Sequence, residues 1–375
     1  MSSADVTGGP GMETAIVLPP KEGFSAGAVG AIGLLVHRLV RAGAEGVVLG
    51  RDCAAPFADV RFEPVRPGLG FSRAGRYAAG VAAAVRRLRP GLVEVHNWPE
   101  VALRLVRTGV PVTLILNNDP QGMRGAKTAA ERTVLLGRLA GVACASEWLR
   151  GRMLEGVLGT VAVLHNCIDV PPPPRPARER LILFAGRMVA DKGADVFVAA
   201  CAQALPGLPG WRAEMIGADR FSADSPETPF LRALRPAAAA AGIVLRGHQP
   251  NDVVLEAMGR AAIVAVPSRW AEPFGLVALE AMAAGAALVA SPRGGLQEVG
   301  GEAAVYADPD RVGDWVGAFR ALAGDDGLRG RVAAAGRARA EGFGADAAAE
   351  RLLEWRRYVL GVTPSPNPLP AGEGF

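Results

Sequence analysis

The sequence of 375 residues has only four cysteines, and no two of them form a Cys-x-x-Cys pair. Three of them, Cys144, Cys167 and Cys201, stand among small apolar residues, as buried thiols commonly do. A disulfide framework and a zinc site are therefore disfavoured, and we predict no metal site. Half of the residues are apolar, so the chain can bury a core of ordinary size without such crosslinks.

The sequence also lacks an apolar segment long enough to cross a bilayer, because Gly, Arg or Pro interrupts every apolar run. Its N-terminus shows no basic region followed by an apolar one, so no secretory signal is predicted. We interpret residues 1–11 as a disordered extension or a start-site artefact. These absences predict a cytoplasmic protein.

Acidic residues are fewer than basic ones in the first part of the chain, with 14 against 19 over residues 1–170. Seven arginines crowd one stretch of this part: Arg73, Arg76, Arg86, Arg87, Arg89, Arg104 and Arg107. One interpretation is a solvated helix face. The other is attraction to anionic lipid headgroups at the inner face of the cytoplasmic membrane, or to a phosphorylated acceptor. Nucleic acid is disfavoured as a partner because the net charge is only +4.

Short apolar runs alternate with longer Ala- and Leu-rich segments along the whole chain. Runs that are apolar throughout predict strands buried on both faces of a parallel sheet. They cover residues 14–19, 46–50, 92–96, 112–116, 142–146, 161–165, 181–186, 213–217, 243–247, 262–267, 287–291 and 303–307. Helical segments, such as 28–43 and 73–89, lie between them. This order predicts an α/β fold with two Rossmann-like, doubly wound parallel-sheet domains.

Four consecutive prolines interrupt this order, and such a run fits neither a helix nor a central strand. They predict a linker at 170–180 between an N-terminal domain over 12–169 and a C-terminal domain over 181–345. A helix is predicted over 346–361, with packing against the N-terminal domain as a hypothesis, and the tail 362–375 is predicted to be disordered. We expect the two domains to face a central cleft, since ligands bind beyond the carboxyl ends of parallel strands.

The strongest motif is EPFGLVALEAMAAG, residues 272–285, which follows a predicted strand. Pro273 suits the first turn of a helix, where its missing N–H group costs nothing. The backbone N–H groups of Phe274, Gly275 and Leu276 would then point at a phosphate from the helix N-terminus. We therefore predict these three residues to bind the phosphates of a donor.

Two glutamates belong to the same motif. Glu280 lies more than one turn into the predicted helix, where it can accept hydrogen bonds from a ribose diol. Glu272, at the mouth of the helix, can contact sugar hydroxyls. The alternative is that both glutamates only cap the helix or complement its dipole.

A second motif, FAGRMVADKGAD at 184–195, follows the first predicted strand of the C-terminal domain. Arg187 and Lys192 bracket a loop that leads into a helix. Two fixed cations in this position can neutralise a diphosphate leaving group. The alternative interpretation is that they form surface salt bridges.

A third motif, PPKEGFSAGAVGAIG at 19–33, places Ser25 and Gly27 in a loop that opens a helix, as in a phosphate cradle. We predict both residues to bind the donor. The segment lacks the spacings GxGxxG and GxxxxGK[ST], so a dinucleotide-dependent dehydrogenase and a P-loop ATPase are disfavoured.

The fourth set of candidates follows two predicted strands of the N-terminal domain. His96 ends one strand, and Asn118 and Asp119 follow the next. Polar residues in this position commonly serve a site, so we predict a catalytic role for His96 and acceptor contacts for Asn118 and Asp119. The alternative is that His96 is a structural histidine with satisfied hydrogen bonds.

Taken together, GRMVADKG (186–193) and EPFGLVALE (272–280) resemble the family 4 retaining glycosyltransferases of GT-B fold. The resemblance extends over residues 14–345. More narrowly, the segments VEVHNWPE and NNDPQGMRGAKTAAER look like those of bacterial glycosyltransferases that build the lipopolysaccharide core or surface polysaccharides. The paired glycines common at the start of that family are replaced here by FSAGAVG, which leaves the acceptor open.

The resemblance implies a role for each matching residue. Arg187 and Lys192 would contact the donor diphosphate together with the backbone near Gly275. Glu280 would bind the ribose, and Glu272 would contact the donor sugar. Among these, Arg187, Lys192 and Glu272 are predicted to be catalytic.

Two further positions follow from the same resemblance. The stretch RGHQP (246–250), which contains Gly247, would frame the nucleotide base. His96 matches the histidine of the family's catalytic face, in the domain that usually holds the acceptor.

These observations predict a retaining hexosyltransferase that uses a UDP- or GDP-linked sugar as donor. The acceptor would be a hydroxyl of a glycan or glycolipid, and no cofactor or metal is required by the family pattern. One alternative is a nucleotide-sugar epimerase on the same fold. A second, from another class, is a non-catalytic sugar-binding protein.

Overall fold

The computed structural model describes residues 13–26, 29–170, 178–219 and 227–362. Within these ranges the chain divides into two compact units. Unit 1 holds the described residues up to Cys167 and those from Ala345 onward, and unit 2 is Ile168–Gly344. The predicted extension 1–11, most of the predicted linker and almost all of the predicted tail lie outside the described residues.

Unit 1 contains a seven-stranded sheet whose central strands are buried at every residue. Its strands are β1 (Thr14–Val17), β2 (Val47–Gly50), β3 (Phe62–Pro64), β4 (Leu92–His96), β5 (Val112–Leu116), β6 (Gly141–Cys144) and β7 (Ala162–Val163). They lie in the order β3-β2-β1-β4-β5-β6-β7, and every pairing is parallel. The sequence pattern does not predict β3, because this edge strand has three partly exposed residues and ends in proline.

Helices connect these strands, as parallel pairing requires. They are α1 (Ala31–Arg41), α2 (Arg73–Leu88), α3 (Pro99–Leu105), α4 (Ala129–Arg138) and α5 (Glu147–Leu154). All five begin with a serine, threonine or glycine cap or with proline in the first turn, which are common helix-start signals.

Unit 2 repeats the scheme with a six-stranded sheet. Its strands are β8 (Glu179–Ala185), β9 (Arg212–Ile216), β10 (Val244–Leu245), β11 (Ala261–Val266), β12 (Ala287–Ala290) and β13 (Val305–Tyr306). The order is β10-β9-β8-β11-β12-β13, again with every pairing parallel. The two all-parallel sheets confirm the predicted α/β fold class.

The helices of unit 2 enclose its core. They are α6 (Ala194–Ala204), α7 (Pro229–Ala240), α8 (Asn251–Arg260), α9 (Leu276–Ala283), α10 (Leu296–Gly300), α11 (Val312–Gly324) and α12 (Asp326–Glu341). Phe197 of α6 lies edge-on to Phe319 of α11, which contacts Trp315 in the same way. All three side chains are fully buried, so these aromatic contacts fasten the helices to one face of the sheet.

The last described helix, α13 (Ala345–Val359), belongs to unit 1. Its Leu352 and Trp355 join Leu35 and Leu39 of α1 in one buried apolar cluster. The helix occupies nearly the range predicted from the sequence. Among the helices within the described ranges, none has both the length and the apolarity that crossing a membrane requires.

A buried ion pair fixes α13 to the centre of the unit 1 sheet. Glu94 of β4 is 1% exposed, and Arg356 donates to both of its carboxylate oxygens at 2.9 and 3.0 Å. Arg356 also donates to the carbonyl oxygens of Ala44 and Glu45. Burial alone raises the pKa of Glu94, but Arg356 and His96 more than offset it and hold this pKa at about 2.

We predict that Glu94→Gln destabilises unit 1 by about 3–5 kcal/mol at pH 7, because Arg356 then remains buried without its carboxylate. The folded-state pKa of Glu94 is depressed, so its stabilisation is complete above the ordinary value of 4.5 and is lost as the pH falls toward 2. Urea unfolding should therefore show the gap between wild type and variant shrinking over this window.

Glu147→Gln is the matched control, because Glu147 forms a half-exposed ion pair with Arg150. Loss of this ion pair should lower the free energy of unfolding by at most about 1 kcal/mol. A gap between Glu94→Gln and wild type that stays constant from pH 5 to pH 3 would contradict the assigned charge state of Glu94.

Candidate functional site

A cavity of about 740 Å3 lies at the carboxyl ends of β8, β9 and β10 in unit 2. Its walls include the residues that directly follow these strands, namely Gly186, Arg187, Gly217, Ala218, Arg246 and Gly247. Val277 and Glu280 of α9 contribute to the same lining. Parallel strands direct their carboxyl ends to one edge of the sheet, and ligands commonly bind in the crevice there. This cavity is the candidate donor site.

Three predicted donor residues, Arg187, Gly247 and Glu280, line the cavity. The predicted Gly275 and Leu276 lead directly into its lining residue Val277. Leu276 begins α9, and among the described residues no side chain caps the N-terminus of this helix. The first turn of α9 therefore offers backbone N–H donors at the edge of the cavity.

Gly275 is required at this turn for two reasons. Its φ of 111° lies in the left-handed region, which side chains rarely adopt. A Cβ atom here would also stand 2.7 Å from Cδ2 of Leu296. The preceding Phe274 is buried and packs edge-on against Phe343. Phe274 thus anchors the turn in the core of unit 2 while Gly275 shapes it.

The charged residues of the cavity are balanced in number. Three arginines line it, Arg187, Arg235 and Arg246, together with three carboxylates, Asp219, Glu227 and Glu280. Arg235 pairs with Glu227, and Arg246 donates to Glu214 at 3.1 and 3.2 Å. The described lining residues therefore supply no net positive charge, so local geometry must hold an anionic ligand.

Arg246 begins the stretch 246–250 that the family resemblance places at the nucleotide base, and it directly follows β10 as Gly186 and Arg187 follow β8. Arg235 has no predicted role. Arg235 lies within α7 and carries no such signal.

Lys192 and Glu272 form an ion pair, although they are 80 residues apart in sequence. Lys192 Nζ lies 2.5 Å from Glu272 Oε1. The Ser268 hydroxyl donates to the same oxygen at 2.7 Å. The Lys192 side chain is 27% exposed and that of Glu272 11% exposed. The pair is thus partly buried, in contrast to the surface salt bridge that the sequence left as an alternative for Lys192.

The backbone joins the two sequence motifs into one structure. The Asp191 carbonyl accepts the N–H groups of Arg269 and Trp270, both at 2.9 Å. The Arg269 guanidinium donates to both carboxylate oxygens of Asp195 at 2.7 and 2.8 Å. The loop 268–272 is therefore held against the turn that carries Lys192, and this explains why Lys192 and Glu272 meet.

Ser268 has no predicted role of its own, although the segment SRWAEPFG (268–275) matches the donor-binding loop of the family that the sequence resembles. It is fully buried, and its carbonyl accepts the Ser291 hydroxyl at 2.6 Å. Because Ser268 and Ser291 stand at the carboxyl ends of the neighbouring strands β11 and β12, the sheet itself fixes the serine that orients Glu272. Its place after a strand was the available signal.

His96 of unit 1 is buried, with 1% of its surface exposed. Its Nε2 atom lies 3.1 Å from Glu94 Oε1, and its Nδ1 atom is buried without a hydrogen-bond partner among the described residues. The side chain also borders a small internal cavity lined by α1 and α13. The histidine is thus part of the buried Glu94–Arg356 network, and its predicted catalytic role stays a prediction.

The predicted phosphate cradle after β1 contains a carboxylate of the chain itself. Gly33 N–H donates to Glu22 Oε2 at 3.3 Å, so Glu22 occupies the N-terminus of α1 where a phosphate was expected. Ser25 is buried in this loop, and Gly27 lies outside the described residues. The spacing of the glycines in this segment gives no indication that Glu22 lies at the N-terminus of α1.

The predicted acceptor residues have different environments. Asp119 pairs with Arg152 at 3.1 Å and caps the following turn through Gln121 N–H. Asn118 is exposed, and its N–H group donates to Asn97 Oδ1 at 3.2 Å. Asn97 itself has a left-handed φ of 54°, which is uncommon outside glycine and often accompanies functional sites. Asn97 therefore joins Asn118 as a candidate at this edge of the sheet.

Residues 179–325 match the family described as Glycosyl transferases group 1. The D-inositol 3-phosphate glycosyltransferase of Xylanimonas cellulosilytica is 37% identical over 188 residues, which are 48% of this chain and 42% of that protein. The corresponding enzyme of Rhodococcus jostii is 30% identical over 186 residues, or 48% and 41%. The chain spans less than half the length of these curated relatives. The family match falls within the C-terminal unit and agrees with the predicted glycosyltransferase class.

Solved structures align over nearly the whole chain. Sucrose-phosphate synthase from Thermosynechococcus elongatus has a TM-score of 0.76 at 17% identity, covering 94% of this chain and 100% of that one. Anabaena HepE in complex with UDP has a TM-score of 0.73 at 16% identity, covering 92% and 99%. At such identities the likeness shows the fold alone, and it confirms the predicted GT-B fold.

Gly294 is the position where a small change should disturb the Glu272 loop. Its φ is 61°, and a Cβ atom would lie 2.3 Å from the Glu272 carbonyl oxygen. We predict that Gly294→Ala lowers the free energy of unfolding by about 2–5 kcal/mol, the sum of left-handed strain and overpacking. Chemical denaturation measures this loss.

Gly242→Ala is the control, because Gly242 has a φ of 68° and nothing within 4 Å of the added Cβ atom. This variant carries the backbone strain alone, about 1–2 kcal/mol. Equal losses in the two variants would show that the contact with Glu272 contributes nothing.

Proposed function

We propose that this protein transfers a hexosyl group from a nucleoside diphosphate sugar to a hydroxyl acceptor, with retention at the anomeric carbon. The observation that carries the proposal is the cavity of unit 2, which Arg187, Glu280 and the uncapped N-terminus of α9 border together. These groups are suited to a phosphate and a ribose diol. The match of this unit to a glycosyltransferase family supports the same reading of the cavity.

The departing diphosphate requires stabilisation, because negative charge develops on it as its bond to the anomeric carbon breaks. Arg187, Lys192 and the N–H groups of α9 are the proposed donors of this stabilisation. The acceptor oxygen forms the new bond to the same carbon, and its proton leaves on the diphosphate. Glu272 is proposed to hold the hydroxyls of the donor sugar. The Ser268 hydroxyl orients the Glu272 carboxylate for this role.

We infer a UDP- or GDP-linked donor, and one structural neighbour supports UDP. Anabaena HepE, whose fold this chain shares, is described in complex with UDP and with UDP-glucose. Neither the proposed transfer nor the residues assigned to it calls for a cofactor.

Two acceptor classes are proposed. One is a hydroxyl of a glycan or glycolipid in the synthesis of lipopolysaccharide or surface polysaccharide, as the sequence resemblance implies. The other is a phosphorylated inositol, which the names of the curated relatives support. A nucleotide-sugar epimerase is distinguished from both, because it would convert the donor when no acceptor is present.

Nucleotide binding is the first test. Purified protein should show a thermal shift with UDP or GDP, since a ligand at 100 times its Kd adds about 2.7 kcal/mol of stability. Lys192→Met should weaken nucleotide binding by up to about 10-fold, because Lys192 already pairs with Glu272 and binding gains only the difference between two charge-assisted contacts. Titration of the shift measures both effects.

Arg320→Met is the control for Lys192→Met. Arg320 is an exposed cation of α11 that donates to the Gln203 carbonyl and, unlike Lys192, does not pair with Glu272. Folded wild-type protein that shows no shift with any nucleotide would overturn the proposed donor site.

Ser268→Ala should lower kcat/KM for the nucleotide sugar by about 10- to 100-fold, because Glu272 loses the donor that orients its carboxylate. Binding of the free nucleotide should change little, since the Ser268 hydroxyl bonds Glu272 and Ser268 does not line the described cavity. Steady-state kinetics and nucleotide titration measure the two quantities.

Ser291→Ala is the matched control, because it removes a buried hydroxyl that bonds the Ser268 carbonyl and does not touch Glu272. If both variants lose activity equally, or if Ser268→Ala also loses nucleotide binding, the serine supports the loop as a whole and does not position Glu272 specifically.

A further inference from the structure

Two large apolar side chains project into solvent from the loop between β3 and α2. Leu69 is 96% exposed, and Phe71 is fully exposed. Most large apolar side chains of unit 1 are buried, so this pair in one short loop is unusual for a surface that only meets water.

The loop is fixed in place by its contacts with α2. Gly68 N–H donates to the Arg76 carbonyl at 2.8 Å, and Arg76 Nη1 lies 3.4 Å from the Gly70 carbonyl oxygen. The Ser72 hydroxyl then caps α2 by accepting the Gly75 N–H group at 3.0 Å. Leu69 and Phe71 are therefore displayed on an ordered backbone, which lowers the entropic cost of inserting them into an apolar medium.

Arginines surround these two side chains. Arg66 lies in the loop, Arg73 and Arg76 lie in the first turn of α2, and all three are exposed. Arg104 of α3 reaches the same place, because its Nη1 atom stands 4.0 Å from where a Cβ atom of Gly75 would be. No ion pair within the described ranges involves any of these four arginines, so their charges are available to an external anion.

The structure thereby divides the arginine-rich stretch found in the sequence. Arg86, Arg87 and Arg89 lie at the other end of α2, about 20 Å away by helix rise. Arg87 is also engaged by Glu63. Within the described part of this arginine-rich stretch, the unpaired arginines that adjoin exposed apolar side chains lie at the N-terminal end of α2.

This end of α2 borders the carboxyl edge of the unit 1 sheet. The Tyr77 hydroxyl donates to the Leu18 carbonyl just after β1. Its ring stacks on Trp98, which follows β4, with a centroid distance of 5.3 Å. The exposed loop is thus adjacent to the edge where Asn97 and Asn118 lie and where parallel sheets bind ligands.

We propose that Leu69 and Phe71, together with Arg66, Arg73, Arg76 and Arg104, form a docking surface for an anionic lipid bilayer. The arginines bind lipid phosphates, and the two apolar side chains enter the interface between headgroups and acyl chains. The surface deepens the proposed function by placing the acceptor edge of unit 1 beside membrane lipids, where a glycolipid acceptor would reside.

The same residues argue against two other occupants. A soluble phosphorylated molecule would engage the arginines but leave Leu69 and Phe71 in water. A second copy packed through the same face would bring the arginine clusters of both copies together, and like charges would oppose that contact. Both occupants remain outcomes of the test.

The test is sedimentation of the full chain with vesicles. Wild type should bind vesicles of equal parts phosphatidylcholine and phosphatidylglycerol and should not bind phosphatidylcholine alone. The double variant Leu69→Ser/Phe71→Ser should lose roughly tenfold or more in partitioning. Arg73→Gln and Arg104→Gln should each lower partitioning onto the vesicles roughly fivefold. Added salt should also weaken vesicle binding by wild type.

Two controls match these variants. Leu158→Ser changes another side chain of unit 1 that is 97% exposed, outside this surface. Arg138→Gln removes an exposed arginine of α4. Both should bind vesicles as wild type does. Equal loss in the controls, or equal binding of wild type to both vesicle types, would overturn the proposal.

Two results would favour the other occupants and also overturn it. If the arginine variants lose binding while the double serine variant does not, the surface is an anion site without lipid insertion. If wild type is dimeric by sedimentation equilibrium and the double serine variant is monomeric, the loop is a self-association surface.

The proposed docking surface and the proposed function can be refuted independently of each other. The nucleotide thermal shift of the double serine variant should equal that of wild type, because the substituted loop belongs to unit 1 and the cavity to unit 2. If wild type binds vesicles but shows no thermal shift with any nucleotide, the docking surface is supported and the proposed transferase function is refuted.

Discussion

Parallel pairing in both sheets is the constraint on which the rest of this structure depends. Every strand of a parallel sheet must return to the same starting edge, so all strand-to-helix turns gather at the opposite edge. In unit 2 this rule brings Arg187, Gly217 and Arg246 together from three neighbouring strands. In unit 1 it places Asn97 beside Asn118. The candidate site residues are thus gathered by topology before any side chain contributes.

Charge inside the protein is stabilised only where the chain supplies a partner. Glu94 lies within a central strand, where an unpaired carboxylate would be very unfavourable. Arg356 of α13 pairs with it across a sequence separation of 262 residues. The closing helix is therefore tied to the sheet by electrostatics as well as by its apolar face. His96 shares this network, which explains its burial at a strand end that would otherwise suit a site.

At the candidate site, Glu272 is also held by partners that the chain itself supplies, Lys192 and Ser268. The Glu272 oxygen that faces Lys192 also accepts the Ser268 hydroxyl, so the carboxylate has a defined orientation before a ligand arrives. A bound diphosphate would compete with Glu272 for the lysine. The free energy gained when the diphosphate binds is then the difference between its contact with Lys192 and the Lys192–Glu272 contact that it replaces. The side chains of Lys192 and Glu272 are already oriented before binding.

The sequence by itself determined the α/β class, nearly all strands and the order of the site motifs, because apolar periodicity and helix-start residues are local properties. It missed β3, which is short and lies at an edge. Only the tertiary structure decided that Glu22 fills the expected phosphate cradle, that Lys192 meets Glu272, and that Leu69 and Phe71 remain exposed. These features depend on how side chains pack and meet once the chain has folded, which no local pattern encodes.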